Sequence, residues 1–175
     1  SEIAMQIEGA LNSLDKNITD YLINISSGSL SEADSAKHTA LMDAVRDIER
    51  IGDHFENIIE LIDYKISNKI HLTDNALEDL NNMFDLTILT VKQAVKALDT
   101  MDREEALVVL QKEEQIDKME RTYRKQHIIR VNEGRCTGSA GIVFVDILSN
   151  LERIGDHAVN IAEEVLNEKG SSRKI

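Results

Sequence analysis

Two acidic side chains four residues apart on a helix lie one turn from each other on the same face. The chain repeats that arrangement. Glu49-Arg50-Ile51-Gly52-Asp53-His54 recurs letter for letter as Glu152-Arg153-Ile154-Gly155-Asp156-His157, so Glu49/Asp53 and Glu152/Asp156 are matching pairs. Asn57 and Asn160 extend each line by a further turn, and a third pair, Glu113/Asp117, is continued by Glu120. Carboxylates gathered this closely repel one another unless they are protonated or bridged by a cation. Oxygen-only donors suit hard cations such as Mg, Ca, Mn or iron and make a poor cage for structural zinc. One acidic pair usually marks a solvated helix face; its repetition inside an identical hexapeptide directs the reading to metal.

Long helices must position these faces. The chain has no Pro, and apolar residues recur at helical spacing almost throughout. A first helix is expected from about Glu2 to Ile25, with Ile7, Leu11, Leu14, Ile18, Leu22 and Ile25 inward. Ser31 and Asp34 mark the start of a second, running to about Ile66 with Leu41, Val45, Ile48, Gly52, Phe55, Ile59 and Ile62 as its inner stripe. Thr73 caps a third helix to about Leu98, with Leu80, Phe84, Ile88, Val91 and Val95 inward. A fourth follows the Asp99–Asp102 turn and ends near Asn132. The fifth, about Ala140 to Asn167, repeats the stripe as Phe144, Leu148, Leu151, Gly155, Ala158, Ala162 and Val165.

Overlaying the hexapeptides pairs the second helix with the fifth. The first then pairs with the fourth, setting Leu11-Asn12 against Ile116-Asp117 and Leu14-Asp15 against Met119-Glu120. The third has no upstream counterpart. The expectation is an all-α chain of tandem three-helix bundles, the first (1–68) lacking its opening helix, the second spanning 72–168, with 169–175 a disordered tail. A missing helix would leave an apolar groove for a second copy or an N-terminal region to cover. In the first unit Glu8 matches Glu113 but Asn12 stands for Asp117, so the charge there is lower.

The net charge of −12 disfavours nucleic acid and anionic lipid as partners. A single cysteine, Cys136, excludes an internal disulfide and suggests a reducing compartment. No apolar run approaches the roughly 20 residues that span a bilayer, so direct membrane insertion is not expected. The chain opens on Ser1 rather than Met, and a truncated parent is the reading taken. Gly52 and Gly155 lie inside helices and are read as close-packing positions, Arg50 and Arg153 as partners of neighbouring acids. His54 and His157 fall about 100° around the helix from the acidic line and are read as supporting or surface residues. Met83 and Met101 are read as core filler, and Cys136 is given no role.

The stretches Asp47-Ile48-Glu49-Arg50-Ile51-Gly52-Asp53-His54 and Leu151-Glu152-Arg153-Ile154-Gly155-Asp156-His157 resemble the signature of the PhoU family. The resemblance implies tandem three-helix bundles whose acidic motifs bind metal clusters, multinuclear and iron-containing in some members. Carried over by motif match, the ligands are Glu49, Asp53, Glu113, Asp117, Glu152 and Asp156, with Glu8 in the weaker first set. Two branches follow from it. One is a stand-alone PhoU protein that regulates phosphate uptake and its signalling kinase. The other, favoured on the absent initiator Met and the start inside the first bundle, is the cytoplasmic C-terminal module of a bacterial sodium/phosphate cotransporter of the NptA type. That module would act as a homodimer beside a membrane transport domain, tethered to the inner face of the cell membrane.

Catalysis is not expected. A ferritin-like di-iron oxidase would need Glu-x-x-His, and the residues three before the five histidines are Ser35, Ile51, Asn68, Arg124 and Ile154. The remaining alternative is a metal-free interaction bundle whose acidic faces serve solubility.

Overall fold

The computed structural model describes residues 2–26, 28 and 30–168, without the side chains of residues 2–8, 32, 33, 36 and 168. It comprises α1 (Glu2–Ser26), α2 (Glu32–Ser67), α3 (Asp74–Thr100), α4 (Arg103–Asn132) and α5 (Gly138–Glu168), with no strand among the described residues. Three of these helices start on side-chain caps. Ser31 accepts from the Asp34 N–H, Thr73 from Ala76, and Asp102 from both Glu104 and Glu105. Each cap satisfies donors that the first turn leaves without partners. α3 closes at Met101 in the left-handed region (φ 50°), whose N–H returns to the Ala97 carbonyl.

α5 is the centre of the molecule and packs against α2, α3 and α4, whereas α1 packs on α2. Its Phe144, Leu148, Leu151, Ile154 and Ile161 are fully buried, together with Met83 of α3 and Val109 and Ile116 of α4. Each such side chain stabilises the fold by about 1.5–3 kcal/mol relative to exposure. The repeat is visible in the packing. A Cβ on Gly52 would meet Leu11 Cδ1 at 2.9 Å, and one on Gly155 would meet Ile116 Cδ1 at 3.3 Å. The same helix pair therefore touches at the same point in both units, as the sequence register requires.

The inner face of α3 differs from the expectation. Leu80 is buried, but the rest of the stripe runs through Ala76, Met83, Thr87, Thr90, Ala94 and Ala97, while Phe84 and Val95 are exposed. Small residues let α3 approach its neighbours closely. The two threonines are hidden without loss because their hydroxyls donate to the Met83 and Leu86 carbonyls. Met83 is core, whereas Met101 is half-buried at the helix end. On α1, Leu22 is buried but Leu14, Ile18 and Ile25 are exposed, as is Ile62 of α2. The segment 169–175, expected to be a disordered tail, lies outside the described residues.

Candidate metal centre on the α4 and α5 face

Gly155 is the floor of the acidic face. Its missing side chain lets α4 settle against α5, with Glu113 Cγ 3.7 Å from where a Cβ would stand. Glu113 and Asp117 of α4 thereby come within electrostatic reach of Glu152 and Asp156 of α5. Burial first, then Asp117, Asp156 and Glu152, push the Glu113 carboxyl from an ordinary 4.5 up to about 7. Glu152 is raised by burial and by Asp156, Asp117 and Glu120, against a lowering from Arg153. Asp156 is raised by burial and Asp117, against His157, Arg153 and His54. Arg121 pairs with Asp117 at 3.3 Å from the exposed side. An open groove of about 430 Å³ runs along this face, lined by Glu113, Arg153, Asp156, His157, Asn160 and Glu163 among others.

The donors fit a hard cation. They are all oxygen, they crowd one another, and burial first and then the neighbouring carboxylates disfavour the charge on Glu113, so a bound cation would relieve the repulsion. Among the described residues, no three of these side chains already stand in ligand geometry about one point. Binding would need them to turn inward together.

The first unit is less assembled. Glu49 and Asp53 lie on α2 with Arg50 between them, at 3.9 and 3.6 Å. The Glu8 side chain, expected to face them from α1, lies outside the described residues.

The two histidines of the repeat do something that spacing alone did not reveal. His157 Nδ1 lies 2.7 Å from Asp47 Oδ1, and Asn160 donates to the same oxygen at 3.0 Å. By the internal symmetry, His54 Nδ1 lies 2.9 Å from Asn150 Oδ1, and Asn57 donates there at 3.4 Å. The two rings stack at 5.5 Å. Each copy of the motif thus reaches across to the residue two positions before the Glu of the other copy, and the pair clasps α2 to α5. A one-residue repeat match, Asp47 with Asn150, was the available signal. A second site feature also escaped the sequence reading: Arg130 is buried and paired with Asp79 at 2.9 Å, beneath a buried His127 stacked on Phe144 at 4.1 Å.

Five helices, an internal two-fold repeat and carboxylate pairs on the helix faces define a tandem-bundle protein with a candidate cation-binding surface. The model of the PhoU domain matches residues 1–62 and 80–165, and the chain belongs to the PhoU family. The phosphate-specific transport system accessory protein PhoU homolog 1 of Thermotoga maritima is 36% identical over 120 residues, 69% of this chain and 51% of that protein. The corresponding homolog of Streptococcus pneumoniae is 27% identical over 131 residues, 73% of this chain and 57% of its own length. The chain spans about half to two thirds of the length of the curated relatives it matches. Crystal structures of PhoU from Pseudomonas aeruginosa (TM-score 0.89, 23% identity, 97% of this chain and 81% of that chain) and of the phosphate transport system regulatory protein PhoU from Streptococcus pneumoniae (TM-score 0.86, 22% identity, 97% and 79%) share the fold.

Proposed function

We propose that the chain is a PhoU-type regulatory protein of phosphate transport whose acidic α4–α5 face binds a hard cation. The observation that carries the reading is the convergence of Glu113 and Asp117 on Glu152 and Asp156, the latter pair inside a duplicated motif, with Glu113 raised to about 7. Glu113, Asp117, Glu152 and Asp156 would hold the ion, and Glu49, Asp53 and Glu8 would form a second, weaker set in the first unit. Iron, Mn, Mg or Ca, singly or as a cluster, suits this chemistry. The bound cation supplies fixed positive charge on a surface of net negative charge. The protein's own residues hold it and couple it, through the His157–Asp47 clasp, to the packing of the two units.

The names of the relatives, accessory proteins of a phosphate-specific transport system, support this reading over the sodium/phosphate cotransporter module that the sequence suggested. No helix among the described residues is long and apolar enough to cross a membrane. The partner proposed is a membrane transport protein, met at the cytoplasmic face of the cell membrane, with this chain as a homodimer.

Phosphate uptake by cells tests the proposal. Cells whose full-length protein carries Glu113→Gln, Asp117→Asn, Glu152→Gln and Asp156→Asn together should lose control of uptake as fully as cells lacking the protein. Normal control in the fourfold variant would overturn the role given to this face.

A further inference from the structure

α2 and α3 both lie against α5, but their backbones do not pack against each other. The gap between them is bounded at both ends. Phe55 and Phe84 meet edge to face at 6.2 Å across one end. At the other, the chain leaves α2 through Lys69 in the left-handed region (φ 52°), and Leu72 packs on the core. Between these ends runs a groove of about 250 Å³ whose floor is Ile147 and Leu151 of α5. Ile62, Leu77 and Phe84 line it while remaining 41%, 40% and 39% exposed, so a ligand from solvent can reach its walls.

Lys65 is the charged residue of this groove. It is half-buried, and its ammonium has no carboxylate or carbonyl partner among the described residues. The end of α2 does not need it, because the carbonyls of Tyr64, Lys65 and Ile66 already accept from the N–H groups of Asn68, Ile70 and Lys69. Lys65 stands ten residues beyond Phe55, about 15 Å along the helix and toward the opposite end of the groove. A lysine on apolar surface lays its stem along it and keeps its ammonium at water, which sets the positive charge at the mouth. Among the described residues no carboxylate lines this groove. In a chain of net charge −12 that is a local reversal. Other grooves carry the opposite sign, lined by Glu60 and Asp146 or by Glu113, Asp156 and Glu163.

We infer that this groove binds a medium-chain carboxylate, its tail laid on α5 between α2 and α3 and its head paired with the Lys65 ammonium. An apolar lining with few polar groups is the composition of a small-molecule site. An extended octanoate lies within the span from Phe55 to Lys65. Burial of the tail supplies the affinity, and Lys65 supplies the choice of sign. The site shares no lining residue with the acidic α4–α5 groove, so it stands whether or not a cation binds there.

Octanoate and octylammonium, which share one alkyl chain and differ in the sign of the head, are the probes. Titrated into the intact chain below the concentration at which they self-associate, octanoate should give saturable NMR shifts of the Ile62, Leu72, Leu77 and Ile147 methyls. Octylammonium should bind about fivefold or more weakly, the worth of one partly screened ion pair. The net charge of the chain favours the ammonium, so a preference for the carboxylate has to come from Lys65. Lys65→Glu should reverse the order of the probes. Leu77→Asp, whose carboxylate suits the first turn of α3, should abolish octanoate binding. Absence of saturable octanoate shifts would overturn the site, as would shifts spread equally over the Leu14 and Ile18 methyls of α1. Octylammonium binding as tightly as octanoate, or an order of probes unchanged in Lys65→Glu, would overturn it too. Helical circular dichroism checks that each variant is folded; if Lys65→Glu is not, Lys65→Met, which keeps an apolar stem, decides the question by losing the preference for octanoate.

Discussion

Glu113 is the residue on which the electrostatics of the acidic face converge. Its carboxyl, raised from 4.5 to about 7, binds a proton more tightly in the folded chain than in the unfolded one. That contribution favours folding most below about pH 4.5 and is lost as pH rises through about 7. Without added cation, Glu113→Gln should therefore be more stable than the unchanged protein at pH 8, with the gap closing by pH 5. Urea denaturation at the two pH values measures it; a gap that widens toward acid would contradict the assignment. The two carboxylates of each acidic pair were legible because helical spacing fixes a face. The proximity of the α4 pair to the α5 pair was anticipated only as a consequence of laying the two helices side by side. His127 and Arg130 were not legible, because a polar residue on a mostly polar helix shows no sign of burial until its neighbours are in place.

At the scale of elements, the two glycines of the repeat set how closely the helices approach. Gly155→Val would drive a branched side chain into the fully buried Ile116 and toward Glu113. A loss of about 1–3 kcal/mol is expected from overpacking, with the acidic pairs forced apart. A denaturation midpoint unchanged from the parent would show that α4 and α5 do not depend on this contact. The α2–α5 clasp makes a separate prediction. Asp47→Asn copies the residue already present at Asn150 and should be tolerated, whereas Asp47→Leu strips His157 and Asn160 of their common acceptor and should cost about 1–3 kcal/mol. Equal stability of the two variants would remove the clasp from the account. Helix positions were readable from caps and periodicity: Ser31, Thr73 and the Asp99–Asp102 turn fall where helices begin or break. The inner face of α3 was misread because large apolar residues were given priority. Ala94, Ala97, Thr87 and Thr90 bury there instead, since small side chains and self-satisfied hydroxyls allow close approach.

For the whole molecule, the duplication explains both what is present and what is exposed. Two units meet along α2 and α5, and α1 has α2 as its neighbour, leaving Leu14, Ile18 and Ile25 toward solvent. The equivalents of Leu14 and Ile18 in the second unit, Met119 and Tyr123, pack against the core. The pairing of units was readable from the repeated hexapeptide. How they hold each other was not, because the clasp joins residues from distant parts of the chain whose types carry no pairing code. A cation that binds the folded acidic face and not the unfolded chain should raise the stability of the native state.

The direct test of the central claim is elemental analysis of the protein purified without chelator, beside the Asp117→Asn/Asp156→Asn variant. The account predicts at least about one equivalent of a hard cation such as iron, Mn, Mg or Ca on the parent and its loss from the variant. A parent that carries no cation after incubation with these ions, or a variant that retains the parent's full content, would contradict it.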